Sequence, residues 1–202
     1  TGEVGGLNMI HADYDNDGFV DAVVLRGGWM SIDGRFPLSL LHNNGDGTFG
    51  DVTAEAGLLR FAPTQTATWL DYDGDGWLDL FVGNESMPGD PYPCHLFHSN
   101  GDGTFTDVAR ETGVDLVAFV KGVTSGDYNN DGRPDLFVSL RQGRDHHVLF
   151  RNDGPRDGKW SFTDVAGEGG VTEPRFSFGT FFFDYDNDGW QDLYVAGYDW
   201  ES

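Results

Sequence analysis

The nonapeptide Asp13-Tyr14-Asp15-Asn16-Asp17-Gly18-Phe19-Val20-Asp21 is the most informative stretch of this chain, because it recurs three more times. The other copies are residues 71–79, 127–135 and 184–192, and the first residues of successive copies lie 58, 56 and 57 positions apart. A near-constant period of this length is typical of repeat architectures. We therefore expect a row of similar structural units, each carrying one such nonapeptide.

Acidic side chains stand at positions 1, 3, 5 and 9 of each nonapeptide, except that the third copy has Asn129 at position 3. Carboxylates at alternate positions converge on one point only if the backbone coils tightly. The Asn or Gly at position 4 and the Gly at position 6 tolerate the positive φ angles of such a coil. Oxygen donors at this spacing are typical of Ca²⁺, whereas Mg²⁺ demands octahedral geometry and keeps its waters.

We predict about four calcium ions, each held by the side chains at positions 1, 3, 5 and 9 and by the backbone carbonyl at position 7. The predicted ligands are Asp13, Asp15, Asp17, Phe19 and Asp21; Asp71, Asp73, Asp75, Trp77 and Asp79; Asp127, Asn129, Asp131, Arg133 and Asp135; and Asp184, Asp186, Asp188, Trp190 and Asp192.

The loops are not EF-hands. Position 12, where an EF-hand has a bidentate Glu, is Val24, Val82, Val138 or Val195. The residues after position 9 are β-branched and aromatic, which predicts a strand rather than an exiting helix. Solvated Asp/Asn/Gly turns are the simpler interpretation of one copy, but a turn has no need of the acid at position 9.

A second repeated element is a hairpin. Apolar residues flank a Gly/Asn/Asp turn in residues 41–52, 96–108 and 149–165, the last with an insertion at Pro155 to Lys159. Gly45 to Gly50 also matches G-x-G-x-x-G, but no helical pattern follows, so we interpret it as a hairpin rather than a dinucleotide site. Asp46 and Asp102 are expected to be turn residues rather than metal ligands.

Each unit therefore contains four strands, which in the second unit are Thr66 to Leu70, Asp79 to Val82, His95 to His98 and Thr104 to Val108. Residues 52–58 are expected to form at most a short turn of helix. Four-stranded antiparallel units at this period predict an all-β fold, a β-propeller with about three and a half blades in this chain. The blades span residues 5–57, 64–113, 119–170 and, incompletely, 176–202.

A propeller closes with 4 to 8 blades, so we expect residues 1–202 to be a single partial propeller domain of a larger chain. The last predicted strand, Leu193 to Val195, then forms an open edge. An uncovered edge promotes aggregation, so we expect the rest of the same propeller or another chain to cover it.

The D-x-D-x-D-G-x-x-D loops, with N-G-D-G-T-F-x-D-V segments between them, resemble FG-GAP/VCBS-type repeat proteins, particularly those of the cartilage-acidic-protein kind. The resemblance covers almost the whole chain. It implies a calcium-stabilised propeller like the integrin α-subunit head, usually of seven blades, in exported proteins that serve as adhesion or binding modules. Asn129 and Pro134 depart from the pattern and weaken the third site.

Composition limits the possible partners and location. Acidic residues number 34 against 12 basic ones, for a formal net charge of −22, which disfavours nucleic acid and anionic membranes. No apolar run is long enough for membrane insertion. Calcium sites of micromolar affinity fill readily outside the cytosol, so we expect an extracytoplasmic protein: secreted, periplasmic or on the cell surface. Among the six histidines, His95 with His98, or His146 with His147, could ligate a transition metal, but the histidines show no repeated pattern, and packing or surface roles are expected for them.

Two functions remain open at this stage: a scaffold that recognises a protein or glycan, and a propeller-type carbohydrate-active enzyme, a lyase or hydrolase with structural calcium. No catalytic constellation is visible, so the scaffold is preferred. Its binding face is expected on the connections opposite the metal loops, residues 27–38, 58–63, 85–93 and 114–119. These connections carry Trp29, Met30, Phe36, Phe61, Met87, Tyr92 and Phe119.

Overall fold

A computed structural model describes residues 6–30, 33–142 and 146–198. Over these ranges the regular secondary structure is almost entirely β-strand, with one short helix. The elements are β1 (Asn8–Ala12), β2 (Asp21–Leu25), β3 (Phe36–Pro37), β4 (Ser39–Asn43), β5 (Phe49–Asp51), β6 (Phe61–Ala62), β7 (Thr64–Leu70), β8 (Asp79–Asn84), β9 (His95–Ser99), β10 (Phe105–Asp107), α1 (Ala109–Thr112), β11 (Phe119–Gly126), β12 (Asp135–Gln142), β13 (Val148–Arg156), β14 (Lys159–Asp164), β15 (Ser177–Phe183) and β16 (Asp192–Gly197).

The strands form three four-stranded sheets in the orders β1-β2-β4-β5, β7-β8-β9-β10 and β11-β12-β13-β14. A fourth sheet pairs β15 with β16, and β3 pairs with β6 in a short ribbon. Every pair is antiparallel. The all-β prediction and the four strands of the second unit are thereby confirmed, with ends that differ by one or two residues.

The hydrophobic core lies between successive sheets. Val23 and Leu40 of the first sheet pack with Leu80 of the second, and Phe81 of the second packs in the cluster that includes Val138 of the third. Strand β8 is therefore buried along its whole length, because neighbouring sheets cover both of its faces. The apolar side chains of each sheet are buried by the neighbouring sheet, as in repeat proteins that are stabilised by the interfaces between adjacent repeats.

The fourth sheet buries only one face. Leu193 and Val195 pack against the third sheet beside Phe137, so this part of β16 is not an open apolar surface. The other face is uncovered in the described residues: Tyr194 is 49% exposed, whereas Phe137 at the equivalent position is 0% exposed. Phe181 stacks on Tyr194 at 4.9 Å between ring centroids. The face of this sheet, as well as its edge, thus presents apolar surface.

The insertion in the third hairpin lengthens the strands instead of forming a loop. Strands β13 and β14 remain paired out to Arg156 and Lys159, with a register shift between Asn152 and Pro155. The turn itself is Asp157-Gly158, whose φ angles are 52° and 76°. Two successive positive φ angles are typical of the type I′ turn that matches the twist of a hairpin.

Helix is scarce. Residues 52–58 form a single helical turn, in which the Ala56 amide donates to the Val52 carbonyl at 2.8 Å. The corresponding segment of the second unit is α1, which ends at Gly113 with φ 82°. None of the helices in the described part of the chain has the length and apolar character needed to cross a membrane.

A buried histidine joins the third and fourth sheets. His147 is 1% exposed, and its Nδ1 accepts a hydrogen bond from the Leu140 amide at 3.1 Å. Its Nε2 lies 3.4 Å from Ser177 Oγ on β15. Burial lowers the pKa of His147, against the opposing influence of the Pro174 backbone and Glu173, while His146 adds to the lowering. The imidazole is therefore neutral in the folded chain.

This arrangement predicts acid sensitivity. The unfolded chain binds a proton at His147 near pH 6.5 and the folded chain does so only at lower pH, so stability is lost as pH falls below about 6.5. His147→Asn keeps an acceptor near Leu140 but does not titrate. We expect its unfolding free energy, measured by urea titration from pH 7 to 5, to fall less steeply than that of the wild type, by at most about 1.4 kcal/mol per pH unit.

His11 is exposed on β1 and supplies the matched control. The unfolding free energy of His11→Asn is expected to change with pH as steeply as that of the wild type. Equal slopes for His147→Asn and the wild type would show that His147 does not couple proton binding to folding.

Candidate metal centres

The four aspartate-rich loops share one backbone conformation. The residue at position 4 and the glycine at position 6 both have positive φ in every copy. The φ angles are 58° and 90° for Asn16 and Gly18, 73° and 89° for Gly74 and Gly76, 54° and 84° for Asn130 and Gly132, and 60° and 88° for Asn187 and Gly189. The prediction of two left-handed residues per loop is confirmed, and it explains the Asn/Gly restriction at these positions.

The aspartate at position 1 holds the coil together. In the first loop, the Asp17 amide donates to Asp13 Oδ1 at 3.1 Å and the Gly18 amide donates to Asp13 Oδ2 at 2.9 Å. The same pair of hydrogen bonds recurs at Asp71, Asp127 and Asp184. The coil therefore turns the side chains at positions 1, 3 and 5 toward a common centre.

The aspartate at position 9 joins the loop to the rest of its sheet. Asp21, Asp79 and Asp135 are 1%, 0% and 0% exposed, and each stands at the start of the second strand of its sheet. Each accepts a hydrogen bond from a backbone amide of the third strand of its sheet, which is β4, β9 or β13. These bonds are Asn43 N to Asp21 at 2.8 Å, Ser99 N to Asp79 at 2.9 Å and Asn152 N to Asp135 at 2.7 Å.

The second carboxylate oxygen of position 9 faces the loop. It accepts from the amide of the tyrosine at position 2 in three copies, Tyr14, Tyr72 and Tyr185, at 3.3, 3.1 and 3.1 Å. This structural role was missed by the analysis of the sequence, which assigned position 9 to metal alone. The two roles are compatible, since a carboxylate oxygen has more than one lone pair.

Acidic side chains converge in three of the loops. The carboxylate oxygens of positions 1, 3 and 9 lie within 4.8 Å of one another in Asp13–Asp15–Asp21, in Asp71–Asp73–Asp79 and in Asp184–Asp186–Asp192. In the third loop Asn129 replaces an acid and accepts from the Asp131 amide, while Asp131 pairs with the Arg133 side chain. No comparable acidic trio forms there among the described residues. The full ligand sets remain a prediction.

The electrostatics of these clusters favour a cation. Burial raises the pKa of Asp79 to about 7, even though Ser99 and Tyr72 donate to it, and burial also raises the pKa of Asp135 to about 7. Burial and the neighbouring Asp17 raise the pKa of Asp15. Asp15 Oδ1 and Asp135 Oδ2 are buried without a hydrogen-bond donor. Buried carboxylates of this kind are stabilised by a bound metal ion, so the loops fit one.

Two histidines accompany the first two loops. His42 Nδ1 lies 3.3 Å from Asp15 and 3.4 Å from Asp21, and His98 Nδ1 lies 3.5 Å from Asp73 and 3.1 Å from Asp79. The expectation that the histidines show no repeated pattern is therefore wrong for His42 and His98, which occupy equivalent positions in the first two repeats. The signal was present, because each histidine stands three residues before the glycine of its Asn-Gly turn.

Asp46 and Asp102 are turn residues, as expected. Asp46 Oδ1 accepts from the Thr48 amide at 3.0 Å, and Asp102 Oδ1 accepts from the Thr104 amide at the same distance. Hydrogen bonds from the Thr48 hydroxyl and amide lower the pKa of Asp46. Both acids are committed to their turns.

The connections at the opposite end of the sheets carry the predicted aromatic residues. Trp29, Met30 and Phe61 are exposed, and Phe36, Met87, Tyr92 and Phe119 are half-buried. Residues 31 and 32 of the first connection lie outside the described residues. Arg35 Nη2 donates to both carboxylate oxygens of Asp90 at 3.0 Å, and the Arg35 guanidinium lies 5.7 Å from the Tyr92 ring centroid. Two of the predicted connections are thus joined.

A buried ion pair beneath Trp29 was not foreseen. Lys121 donates to Glu85 Oε1, and the Trp29 amide donates to Glu85 Oε2 at 2.8 Å. Lys121 Nζ lies 3.4 Å from the Trp29 ring centroid, and Phe178 stacks on the same ring at 5.0 Å. Burial lowers the pKa of Lys121, which the bond to Glu85 opposes. Residues of all four repeats therefore meet under Trp29.

Antiparallel four-stranded sheets that repeat with coiled aspartate loops define a known class of proteins. The family model described as "FG-GAP-like repeat" matches residues 13–82, 71–138 and 127–195. The chain belongs to the FG-GAP-like repeat family, and the resemblance drawn from its motifs is confirmed.

Among individual proteins, the chain is similar to Cartilage acidic protein 1. It is 33% identical to the Homo sapiens protein over 128 residues, which are 63% of this chain and 17% of that protein. It is 33% identical to the Xenopus tropicalis protein over 117 residues, 57% of this chain and 17% of that protein. The Mus musculus protein is 32% identical over 128 residues, 63% and 18% of the two chains. The match spans less than a fifth of these relatives.

Proposed function

We propose that this chain is part of a calcium-stabilised β-propeller that acts outside the cytoplasm as a scaffold for recognising or assembling a protein or glycan partner. One observation carries the proposal: in three loops, acidic side chains from positions 1, 3 and 9 converge within 4.8 Å at one end of a rigid sheet. Such a loop needs a cation, and the frame it stabilises presents its other end to a partner.

The packing of the sheets supports the propeller proposal. Successive four-stranded sheets stack face to face, and their first strands, β7, β11 and β15, lie beside one another. Blades arranged around an axis have this relationship. We propose a single partial propeller domain with blades at residues 5–57, 64–113, 119–170 and 176–202, the last incomplete.

Calcium is the proposed ion because the donors of the loops are carboxylates and backbone carbonyls on a flexible coil. About four ions would be held by the ligand sets given above, and each would offset the repulsion of three or four carboxylates. We infer an extracytoplasmic location because calcium sites of ordinary affinity stay filled there, and the similarity to Cartilage acidic protein 1 supports it.

The exposed face of the fourth sheet is the proposed contact with the rest of the propeller or with another chain. In the second and third sheets the residues equivalent to Tyr194 are Phe81 and Phe137, and both are completely buried. The third sheet shows how: the fourth sheet supplies Phe182, Leu193 and Val195 to cover Phe137. A further repeat seated on Tyr194 would bury it in the same way.

A non-enzymatic role is proposed because the described carboxyl groups with strongly raised pKa values, Asp79 and Asp135, belong to the metal loops. A lyase or hydrolase would need such groups in a separate site. Recognition is assigned instead to the opposite end of the sheets, where aromatic residues lie on a frame braced by the Lys121–Glu85 pair.

The recognition face is tested with Trp29→Ala and Tyr92→Ala. The variants and the wild type would be compared in calcium on a glycan array and on immobilised extracellular-matrix proteins. We expect the double variant to weaken binding at least tenfold, since exposed aromatic residues dominate most interfaces. Phe49→Ala, at the metal-loop end, removes an aromatic residue that is 52% exposed and is expected to leave binding unchanged. Intact binding in the double variant would place the partner elsewhere.

A further inference from the structure

We propose that the first two loops also bind a divalent transition ion, with Zn²⁺ as the test case, through a mixed donor set of one imidazole nitrogen and two or three carboxylates. The nitrogen comes from His42 in the first site and His98 in the second. The inference concerns the same loops as the calcium proposal, but it does not require calcium to bind there.

The spacing of the donors around His42 suits a small ion. His42 Nδ1 lies 3.3 Å from Asp15 Oδ2 and 3.4 Å from Asp21 Oδ1. A tetrahedral zinc ion, about 2.0 to 2.1 Å from nitrogen and oxygen, separates its ligands by about 3.3 Å. His42 Nδ1 therefore lies at about this separation from both oxygens, and Asp15, Asp17 and His42 each offer a ligand atom within 4.8 Å of the others. Asp17 Oδ2, 3.9 Å from His42 Nε2, borders the same site.

Two polar atoms of the first site have no hydrogen-bond partner. His42 Nδ1 and Asp15 Oδ1 are buried and have no hydrogen bond. The Asp21 side chain is 0% exposed and is oriented by the amides of Tyr14 and Asn43. A bound ion would give both His42 Nδ1 and Asp15 Oδ1 an interaction partner. The carboxylate of Asp21 is already held in one orientation by the two amides.

The second site repeats the arrangement independently. His98 Nδ1 lies 3.1 Å from Asp79 Oδ1 and 3.5 Å from Asp73 Oδ2, and the Asp79 side chain is 0% exposed. Here the nitrogen already has a hydrogen bond to Asp79, which an ion would have to replace. We therefore expect the first site to bind more tightly than the second.

The third repeat is a natural control within the chain. Arg151 occupies the position equivalent to His42 and His98, and it pairs with Asp153 at 2.7 Å instead of facing the loop. The third loop thus offers oxygen donors only. Imidazole favours zinc and other transition ions, whereas carboxylates and carbonyls favour calcium. The ion preference should differ between repeats that share one backbone.

A simple ion pair between a protonated histidine and the loop aspartates is the competing explanation for these short distances. A measurement of metal binding distinguishes the ion pair from a metal site. The wild type would be titrated calorimetrically with Zn²⁺ in 1 mM Ca²⁺, and with Co²⁺ while its visible absorption is recorded. We expect two zinc sites, and a cobalt spectrum with the intensity of tetrahedral coordination. The double variant His42→Asn/His98→Asn should bind Zn²⁺ at these sites at least 30-fold more weakly and should lose the tetrahedral cobalt spectrum.

The control is His95→Asn, which alters a histidine that faces an acid, Asp107 at 2.7 Å, away from the loops. It should keep both zinc sites. Calcium stoichiometry is measured on every variant and reports that the loops remain folded. The proposal is overturned if the wild type binds no zinc in calcium, if the double variant binds zinc like the wild type, or if His95→Asn also abolishes it. If the wild type binds zinc but no calcium, the calcium proposal is wrong and the zinc proposal stands.

Discussion

Removing calcium is expected to lower the melting temperature of this chain substantially. The metal-free loops hold buried carboxylates such as Asp79 and Asp135 without a compensating cation, so the free energy of ion binding is coupled to folding. One site at a free calcium concentration 100 times its Kd contributes about 2.7 kcal/mol, which corresponds to about 5 to 10 °C for a domain of this size. Thermal unfolding with and without chelator measures the shift.

The sites are expected to empty in order, the third one first. Its loop offers three carboxylates instead of four because of Asn129, and Arg133 competes for Asp131. Ligand charge tunes calcium affinity. Metal analysis of the calcium-saturated chain should find about four ions, and a chelator titration followed by NMR of the loop glycines should show Gly132 changing before Gly18 and Gly76. A melting temperature that chelator leaves unchanged would refute the structural role, and simultaneous emptying would refute the order.

Asp79→Ala is expected to be the most damaging single substitution in the loops. Asp79 is completely buried and accepts from the amides of Tyr72 and Ser99. Truncation leaves both donors buried without an acceptor, at about 1 to 3 kcal/mol each, and also removes a ligand. We expect a loss of about 2 to 6 kcal/mol in unfolding free energy, measured by urea denaturation in chelator, with a larger loss in calcium.

Two further variants separate the metal role from the structural role. Asp79→Asn keeps one carbonyl acceptor but loses the charge, so its loss should be smaller in chelator and remain large in calcium. Asp135→Ala should cost less than Asp79→Ala in calcium, because the third site, with Asn129 in place of an acid, is expected to bind calcium more weakly. Equal losses of unfolding free energy for Asp79→Ala and Asp79→Asn in chelator would show that the acceptor retained by Asn contributes nothing to stability.

The loops and strands could be predicted from the sequence because their requirements are local. A coil with two left-handed residues needs Gly or Asn at positions 4 and 6, and convergence on one centre needs acids at alternate positions; both demands are met within nine residues. The residues that follow the loops include the β-branched and aromatic types that favour strands. The period of about 57 residues then repeats these local solutions, so the number and order of sheets follow without knowledge of any contact.

Contacts between residues far apart in the chain could not be predicted from the sequence and are seen only in the tertiary structure. His42 and Asp15 are 27 positions apart, and only the pairing of β2 with β4 brings the imidazole to the loop. The ion pair of Lys121 and Glu85 under Trp29 needs several repeats to be packed together. The loops, the strands and their period can be read from the sequence, since backbone conformation there depends mainly on neighbouring residues. The packing of sheet on sheet decided which donors share an ion and which aromatic face stays exposed, since burial depends on residues from other repeats.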